Sequence, residues 1–318
     1  MSAARTPLVE SPALAQKLGV ASVWLKMESS QPSGSFKQRG MSHLLNHLKG
    51  EGYESIVCSS GGNAGLSAAY CARQLGMTAH IVVPKTTKEL MVRRIRDVGA
   101  KVDIVGENWN GADAYAREIC EKDPKAAYVP PFDHPKLWEG HSPMIKEISE
   151  QLPEGDNEPL DAIVVSVGGG GLIAGVIFGL SEVGPEWANK TRVIAAETEG
   201  AASFAASLEA GELTRLEKID TIATTLGALC VSADSLKFAQ DHPAGCESQI
   251  VSDAEAVAAC KFLADEHRVL VEPACGAALA AALKQKFSPE ARVGVIVCGG
   301  SAVSLDLLQE WSNTFKIA

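Results

Sequence analysis

Lys37 lies in Ser33-Gly34-Ser35-Phe36-Lys37-Gln38-Arg39-Gly40, between an apolar, strand-like run ending near Met27 and a stretch with helical character. A lysine among small residues, beside an aromatic, is set up to form an imine with an aldehyde. The small neighbours admit a flat ligand. Partial burial lowers the amine's pKa, so that it can act as base and nucleophile. Ser166-Val167-Gly168-Gly169-Gly170-Gly171-Leu172 follows a short apolar strand and opens a helix near Leu172. Consecutive glycines let backbone N–H groups converge at a helix N-terminus, a geometry that binds phosphate. Ser59-Ser60-Gly61-Gly62-Asn63-Ala64-Gly65 also joins a strand to a helix. Its hydroxyls, N–H groups and Asn63 amide are donors to an anion, and the same residue types cap helices. Cys298 ends the last core strand in Val297-Cys298-Gly299-Gly300-Ser301.

Other chemistries compete for these residues. Gly169-Gly170-Gly171-Leu172-Ile173-Ala174 fits the GxGxxA dinucleotide pattern, with Glu197 closing the next strand. Glu197 stands 28 residues after Gly169, against about 20 in that pattern. An NAD-dependent dehydrogenase also leaves residues 33–40 and 59–65 without a role. His43 and His47 are four apart on a helix and offer two zinc ligands. No HExxH glutamate lies between them and no third ligand is evident, so they read as surface or packing residues. Val271-Glu272-Pro273-Ala274 reads as a strand end followed by proline in a helix's first turn, with no catalytic role.

The 318 residues suffice for two modest domains. With 46% apolar and 21% charged residues the composition is that of a globular protein. The net charge of -10 and the lack of basic runs argue against nucleic acid and anionic membrane as partners. No apolar stretch matches a signal peptide or a membrane span. The eight cysteines are scattered, with no CxxC pair, which reads as reduced thiols in a reducing compartment.

Short β-branched runs at 23–27, 56–58, 80–83, 102–105, 163–167, 193–196 and 293–297 alternate with helical stretches at 64–75, 89–98, 112–121, 173–183, 254–266 and 277–286. This is an α/β chain of βαβ units with mainly parallel sheets flanked by helices. Val129-Pro130-Pro131-Phe132-Asp133-His134-Pro135 breaks regular structure, and Pro32-Ser33-Gly34 marks a second crossing. Residues 151–159 read as an acidic surface loop.

The glycine, serine and lysine motifs, with Val297 to Ser301, resemble in order those of the pyridoxal-phosphate (PLP) enzymes of fold type II, the tryptophan synthase β-like fold. They are most similar to the animal-type L-serine/L-threonine dehydratases and serine dehydratase-like proteins. The resemblance implies a large PLP-binding domain of residues 1–34 and 135–318 and a small domain of 35–134. It implies that Lys37 holds PLP as an imine and then removes the substrate's α-proton. Phe36 and Thr225 flank the ring, although alanine is usual at position 225. Gly168, Gly169, Gly170, Gly171 and Leu172 hold the phosphate. Ser60, Gly61, Gly62 and Asn63 hold the substrate carboxylate, and Asn63 also reaches the ring oxygen. Cys298 faces the pyridine nitrogen. A thiol is a weak partner and leaves that nitrogen neutral, which suits β-elimination over transamination.

The same resemblance implies a monovalent cation, normally potassium, held by Glu197 and the carbonyls of Ala201, Leu226 and Ala228. The serine racemases carry serine where this chain has Gly61, on the face opposite the lysine. Glycine there points away from racemisation. The implied reaction is a lyase reaction of amino-acid catabolism. L-Serine gives pyruvate and ammonia and L-threonine gives 2-oxobutyrate and ammonia, with the cofactor phosphate assisting departure of the hydroxyl. The alternatives are a serine racemase or another fold-type II β-replacement enzyme. The family also implies a cytoplasmic homodimer, without a C-terminal regulatory domain for isoleucine.

Overall fold

A computed structural model describes residues 3–153 and 158–317. Part of the acidic loop read at 151–159 lies outside them, and Gln151 ends a helix instead. The strands are β1 (Leu8–Glu10), β2 (Ser22–Lys26), β3 (Ser55–Cys58), β4 (Thr78–Val83), β5 (Lys101–Ile104), β6 (Ala126–Tyr128), β7 (Ala162–Ser166), β8 (Arg192–Thr198), β9 (Cys246–Val251) and β10 (Arg292–Ile296). They form a six-stranded sheet in the order β1-β2-β10-β7-β8-β9 and a four-stranded sheet in the order β5-β4-β3-β6. Every pairing is parallel except β1 with β2.

The central strands carry this architecture in their composition. Every residue of β7, Ala-Ile-Val-Val-Ser, is buried, because helices cover both faces of the sheet. The helix Pro273–Lys284 packs on β7 and β8, and its alanines leave room for close approach. At Gly276 a Cβ would meet the Ala256 carbonyl at 2.1 Å, so only glycine lets this helix lie against Asp253–His267.

The seven expected strands are present within one or two residues at their ends. β1, β6 and β9 were not legible. β6 is only Ala-Ala-Tyr, and β9 is polar with a single buried residue. Pairing with β3 and β8 supplies what their own residues do not. No strand forms at Val271; Glu272 is instead the N-cap of Pro273–Lys284.

Open parallel sheets place ligands at the C-terminal ends of their strands. Here Ser59 follows β3, Val167 follows β7 and Cys298 lies two residues past β10. The helix Lys37–Gly50 begins beside them. A buried ionic cluster fixes that helix. Arg39 binds Glu28 at 2.7 Å and Glu147 at 2.6 Å, and Lys26 binds Glu147 at 2.6 Å.

Candidate active site

Strand-to-helix turns from both sheets converge on a cavity of about 910 Å³. Its wall contains Phe36, Lys37, Ser60, Gly61, Gly62, Asn63, Gly168, Gly169, Gly170, Gly171, Leu172, Thr225, Leu226, Ala228 and Cys298. Glu197 and Ala201 are buried elsewhere and do not reach it.

Lys37 opens its helix, so its side chain starts at a fixed point of the wall. Its Nζ donates to the Pro131 carbonyl at 2.7 Å and lies 5.1 Å from the Phe36 ring centre. Protein surrounds the amine, yet part of its surface opens on the cavity. Burial pushes its pKa down to about 8, against the pull of Cys58, Cys298 and Glu272. An amine in that range is part neutral near pH 7, as a nucleophile or base requires. His141 supports Phe36 from behind, with ring centres 5.0 Å apart and edge-on packing. Its Nδ1 accepts from the Gly40 N–H at 3.2 Å, and burial keeps the imidazole neutral.

The glycine run has little room for side chains. A Cβ on Gly169 would lie 2.4 Å from the Phe132 ring, and Gly170 adopts φ 96° in the left-handed region. The helix Gly171–Val183 therefore starts with bare backbone turned to the cavity. On the opposite side, Ser59 Oγ donates to Asp113 at 2.6 Å from under the 60–63 turn, and the Tyr128 hydroxyl donates to the same carboxylate. Asp113 also pairs with Arg117 at 2.8 Å. Asn63 opens the helix Asn63–Leu75, and its Oδ1 accepts from the Ser301 N–H at 2.8 Å.

Glu272 has a larger part than the sequence suggested. It is 3% exposed and belongs to the cavity wall. Its Oε1 accepts from Asn63 Nδ2 at 2.7 Å and from the Thr225 hydroxyl, and its Oε2 accepts from the Ala302 N–H at 3.1 Å. One carboxylate thus joins the 60–63 turn, the 224–226 turn and the loop after β10. Burial raises its pKa, against the opposing effect of these donors. The available signal was an acid inside the apolar run Val269-Leu270-Val271-Glu272-Pro273-Ala274, since such an acid needs several donors. Thr87 was also missed. Its methyl and hydroxyl fill the space beside Gly61, where a Cβ would meet them at 2.6 and 2.7 Å.

The Cys298 thiol is hydrogen-bonded to Cys275 and buried, and both effects hold its pKa well above the usual thiol range. It is a neutral thiol. Glu197 is fully buried, with its carboxylate oxygens accepting from the Phe204 N–H at 2.8 Å and the Ala205 N–H at 2.7 Å. Burial pushes its pKa up to about 7. Among the described residues, no cluster of three or more His, Cys, Asp or Glu side chains could hold a metal ion. His43 and His47 instead approach Glu139 and Glu51, each at 3.3 Å. No helix of the described residues is long and apolar enough to cross a membrane.

A family profile described as "Pyridoxal-phosphate dependent enzyme" matches residues 1–299. The chain belongs to this family. It is 47% identical to human L-serine dehydratase/L-threonine deaminase, over 96% of this chain and 93% of that protein. The solved structure of a fungal L-serine ammonia-lyase from Rhizomucor miehei superposes with a TM-score of 0.89 at 41% identity, covering 98% of this chain and 99% of that one. Maize serine racemase superposes with a TM-score of 0.87 at 29% identity, covering 99% of this chain and 92% of that one. The fold is the expected α/β fold of PLP fold type II, and the dinucleotide reading of Gly169 to Ala174 is set aside.

The cavity suits the family's cofactor. Three kinds of group meet there: a lysine without a carboxylate partner among the described residues, a bare-backbone cradle at a helix N-terminus, and a neutral thiol. A buried hydroxyl in the same wall, Ser166 Oγ, has no nitrogen or oxygen partner among the described residues and faces the Cys298 sulfur.

Proposed function

We propose that this enzyme is an L-serine/L-threonine ammonia-lyase, converting L-serine to pyruvate and ammonia and L-threonine to 2-oxobutyrate and ammonia. One observation carries the reading: Lys37, with a pKa near 8, shares a single wall with the glycine cradle, the 60–63 turn and the neutral Cys298 thiol. Bound PLP supplies an aldehyde for amines and a ring that draws electrons from the carbon bearing the amine.

The chain's residues do the rest. Lys37 Nζ would hold the cofactor and, when free of it, would take the α-proton of the bound amino acid. Gly168 to Gly171 and Leu172 offer N–H groups to the phosphate. Phe36 and Thr225 hold the ring between them. Ser60, Gly61, Gly62 and Asn63 grip the substrate carboxylate, and Glu272 keeps Asn63 turned inward. A neutral thiol at Cys298 would leave the ring nitrogen unprotonated, which would favour loss of the β-hydroxyl over transamination. Gly61 offers no proton from the other face, which separates this reading from a racemase. The test is incubation with L-serine or L-threonine and detection of pyruvate or 2-oxobutyrate. D-Serine as the sole product would overturn the reading.

The proposal extends to a potassium ion held by Glu197 and the carbonyls of Ala201, Leu226 and Ala228. Two orphaned hydroxyls near Glu197 in sequence, those of Thr198 and Ser203, support it. It also takes residues 35–134 as a small domain within a large one of 1–34 and 135–318. A four-stranded sheet drawn wholly from residues 55–128 supports that division. A cytoplasmic homodimer completes the proposal on family likeness, and light scattering tests the assembly.

A further inference from the structure

Buried hydroxyls rarely go without a partner, and leaving one unsatisfied costs about 1–3 kcal/mol. Five side-chain oxygens lack a partner of good geometry among the described residues: Ser35 Oγ, Ser166 Oγ, Thr198 Oγ1, Ser203 Oγ and Ser248 Oγ. Of these residues only Ser166 belongs to the cavity wall, where it is 3% exposed.

Its place in the fold narrows what it meets. Ser166 is the last residue of β7, directly before Val167 and the glycine cradle. β7 pairs with β10, whose register sets Val295 beside Val164. The chain beyond β10 therefore brings Cys298 to the same part of the wall. Ser166 stands between the groups offered to the phosphate and the thiol offered to the ring nitrogen. Along that edge of the cofactor the hydrogen-bond acceptors are the phosphate ester oxygen and the ring nitrogen. The cradle supplies backbone donors to the phosphate group. The Cys298 thiol, a weak donor engaged with Cys275, also lies within reach of the Ser166 hydroxyl, to which its sulfur offers only a weak acceptor.

We infer that Ser166 is a cofactor-binding residue whose hydroxyl donates a hydrogen bond to the pyridine nitrogen, beside Cys298. The inference rests on the PLP reading. An alcohol is far too weak an acid to give up its proton to a pyridine. The nitrogen is thereby held by a hydrogen bond and stays uncharged. Ser166 then sets how strongly the ring withdraws electrons, and Cys298 shapes the space around the nitrogen.

The test is reconstitution of apoenzyme with PLP labelled with ¹⁵N in the ring. The ¹⁵N resonance and the PLP dissociation constant are read for wild type, Ser166→Ala, Ser166→Thr and Cys298→Ala. Ser166→Ala is expected to weaken PLP binding about tenfold, the loss of one hydrogen bond. It should move the resonance toward that of an unbonded pyridine. Ser166→Thr should keep both values near wild type, and Cys298→Ala should move the resonance less than Ser166→Ala. An unmoved resonance in a PLP-loaded Ser166→Ala enzyme overturns the inference, because the hydroxyl then serves the ester oxygen or a water. A full shift in Cys298→Ala with none in Ser166→Ala also overturns it. If Ser166→Ala does not fold, Ser166→Cys carries the same comparison with a weak donor of similar size. Failure of wild type to take up PLP overturns the PLP reading itself, a result separate from any variant's.

Discussion

Lys26, fully buried, and Lys37, half-buried, lie eleven residues apart, and they show what separates a structural lysine from a reactive one. Lys26 is completely enclosed. Its ammonium donates to the Thr6 carbonyl at 2.8 Å, Glu147 at 2.6 Å and Gln151 at 2.8 Å, which uses all three protons. Burial lowers its pKa, but the Glu147 carboxylate opposes this and keeps the charge in place. Among the described residues Lys37 has one carbonyl acceptor and no carboxylate contact, and it has a face on the cavity. The buried acids repeat the contrast. Glu147, bonded to Arg39 and Lys26, is held below the usual carboxylate range, whereas Glu197, bonded only to neutral donors, is raised to about 7. Burial alone does not make a group reactive; burial without a counter-charge does.

The sharpest way to break the comparison is to delete each lysine. Lys37→Ala should lower serine turnover by roughly 10³-fold or more, with a melting temperature close to wild type. Lys26→Met should do the reverse. It strands part of the Glu147 charge and should cost about 3 kcal/mol of stability in a denaturant titration, while cofactor-loaded protein keeps its activity. Equal losses of stability in the two variants would erase the distinction.

Titrating the two amines comes next in size. In apoenzyme, the rate at which an amine reagent labels Lys37 should rise with pH through about 8, because the neutral form accumulates above that pKa. Surface lysines should respond near 10.4, their ordinary value. Lys26 should stay unlabelled at both. Peptide mapping across a pH series reads all three classes at once.

The lysine motif and both glycine-bearing turns could be read from sequence because their signals are local. A strand, small residues and a helix start lie within a few positions in each case. Glu272 and Thr87 could not be read that way. Glu272 matters because it meets Asn63, Thr225 and Ala302, which are far apart along the chain. Thr87 matters because it fills the volume beside Gly61. β6 and β9 escaped for the same reason, since their neighbours specify them. The Arg39–Glu28–Glu147–Lys26 cluster likewise gave no local sign.

Position 61 offers a smaller, more specific test. Gly61→Ser introduces the serine that the resemblance ties to racemisation. The structure adds a condition, because the new side chain would collide with Thr87. Gly61→Ser alone should weaken serine binding by about 1–3 kcal/mol through overpacking. Gly61→Ser with Thr87→Ala should recover much of that loss and form D-serine from L-serine, measured by enantiomer-resolved chromatography. Additive effects of the two substitutions would show that residues 61 and 87 do not share one space.

The smallest expected effect concerns Glu197. If it lacks a counter-charge because an ion supplies one, potassium should raise activity, cofactor retention and melting temperature more than sodium or lithium. The gain is about 2–4 °C for each kcal/mol of binding. Identical behaviour in the three salts, after rigorous removal of bound potassium, would leave Glu197 as a buried acid held only by the neutral donors of Phe204, Ala205 and Ser248.

The most direct measurement is reduction of the PLP-loaded enzyme with borohydride, followed by proteolysis and mass mapping of the phosphopyridoxyl group. The account expects stoichiometric label on Lys37 and none on Lys26. Label on any other lysine, or an enzyme that keeps its cofactor after Lys37→Ala and still converts serine to pyruvate, would contradict it.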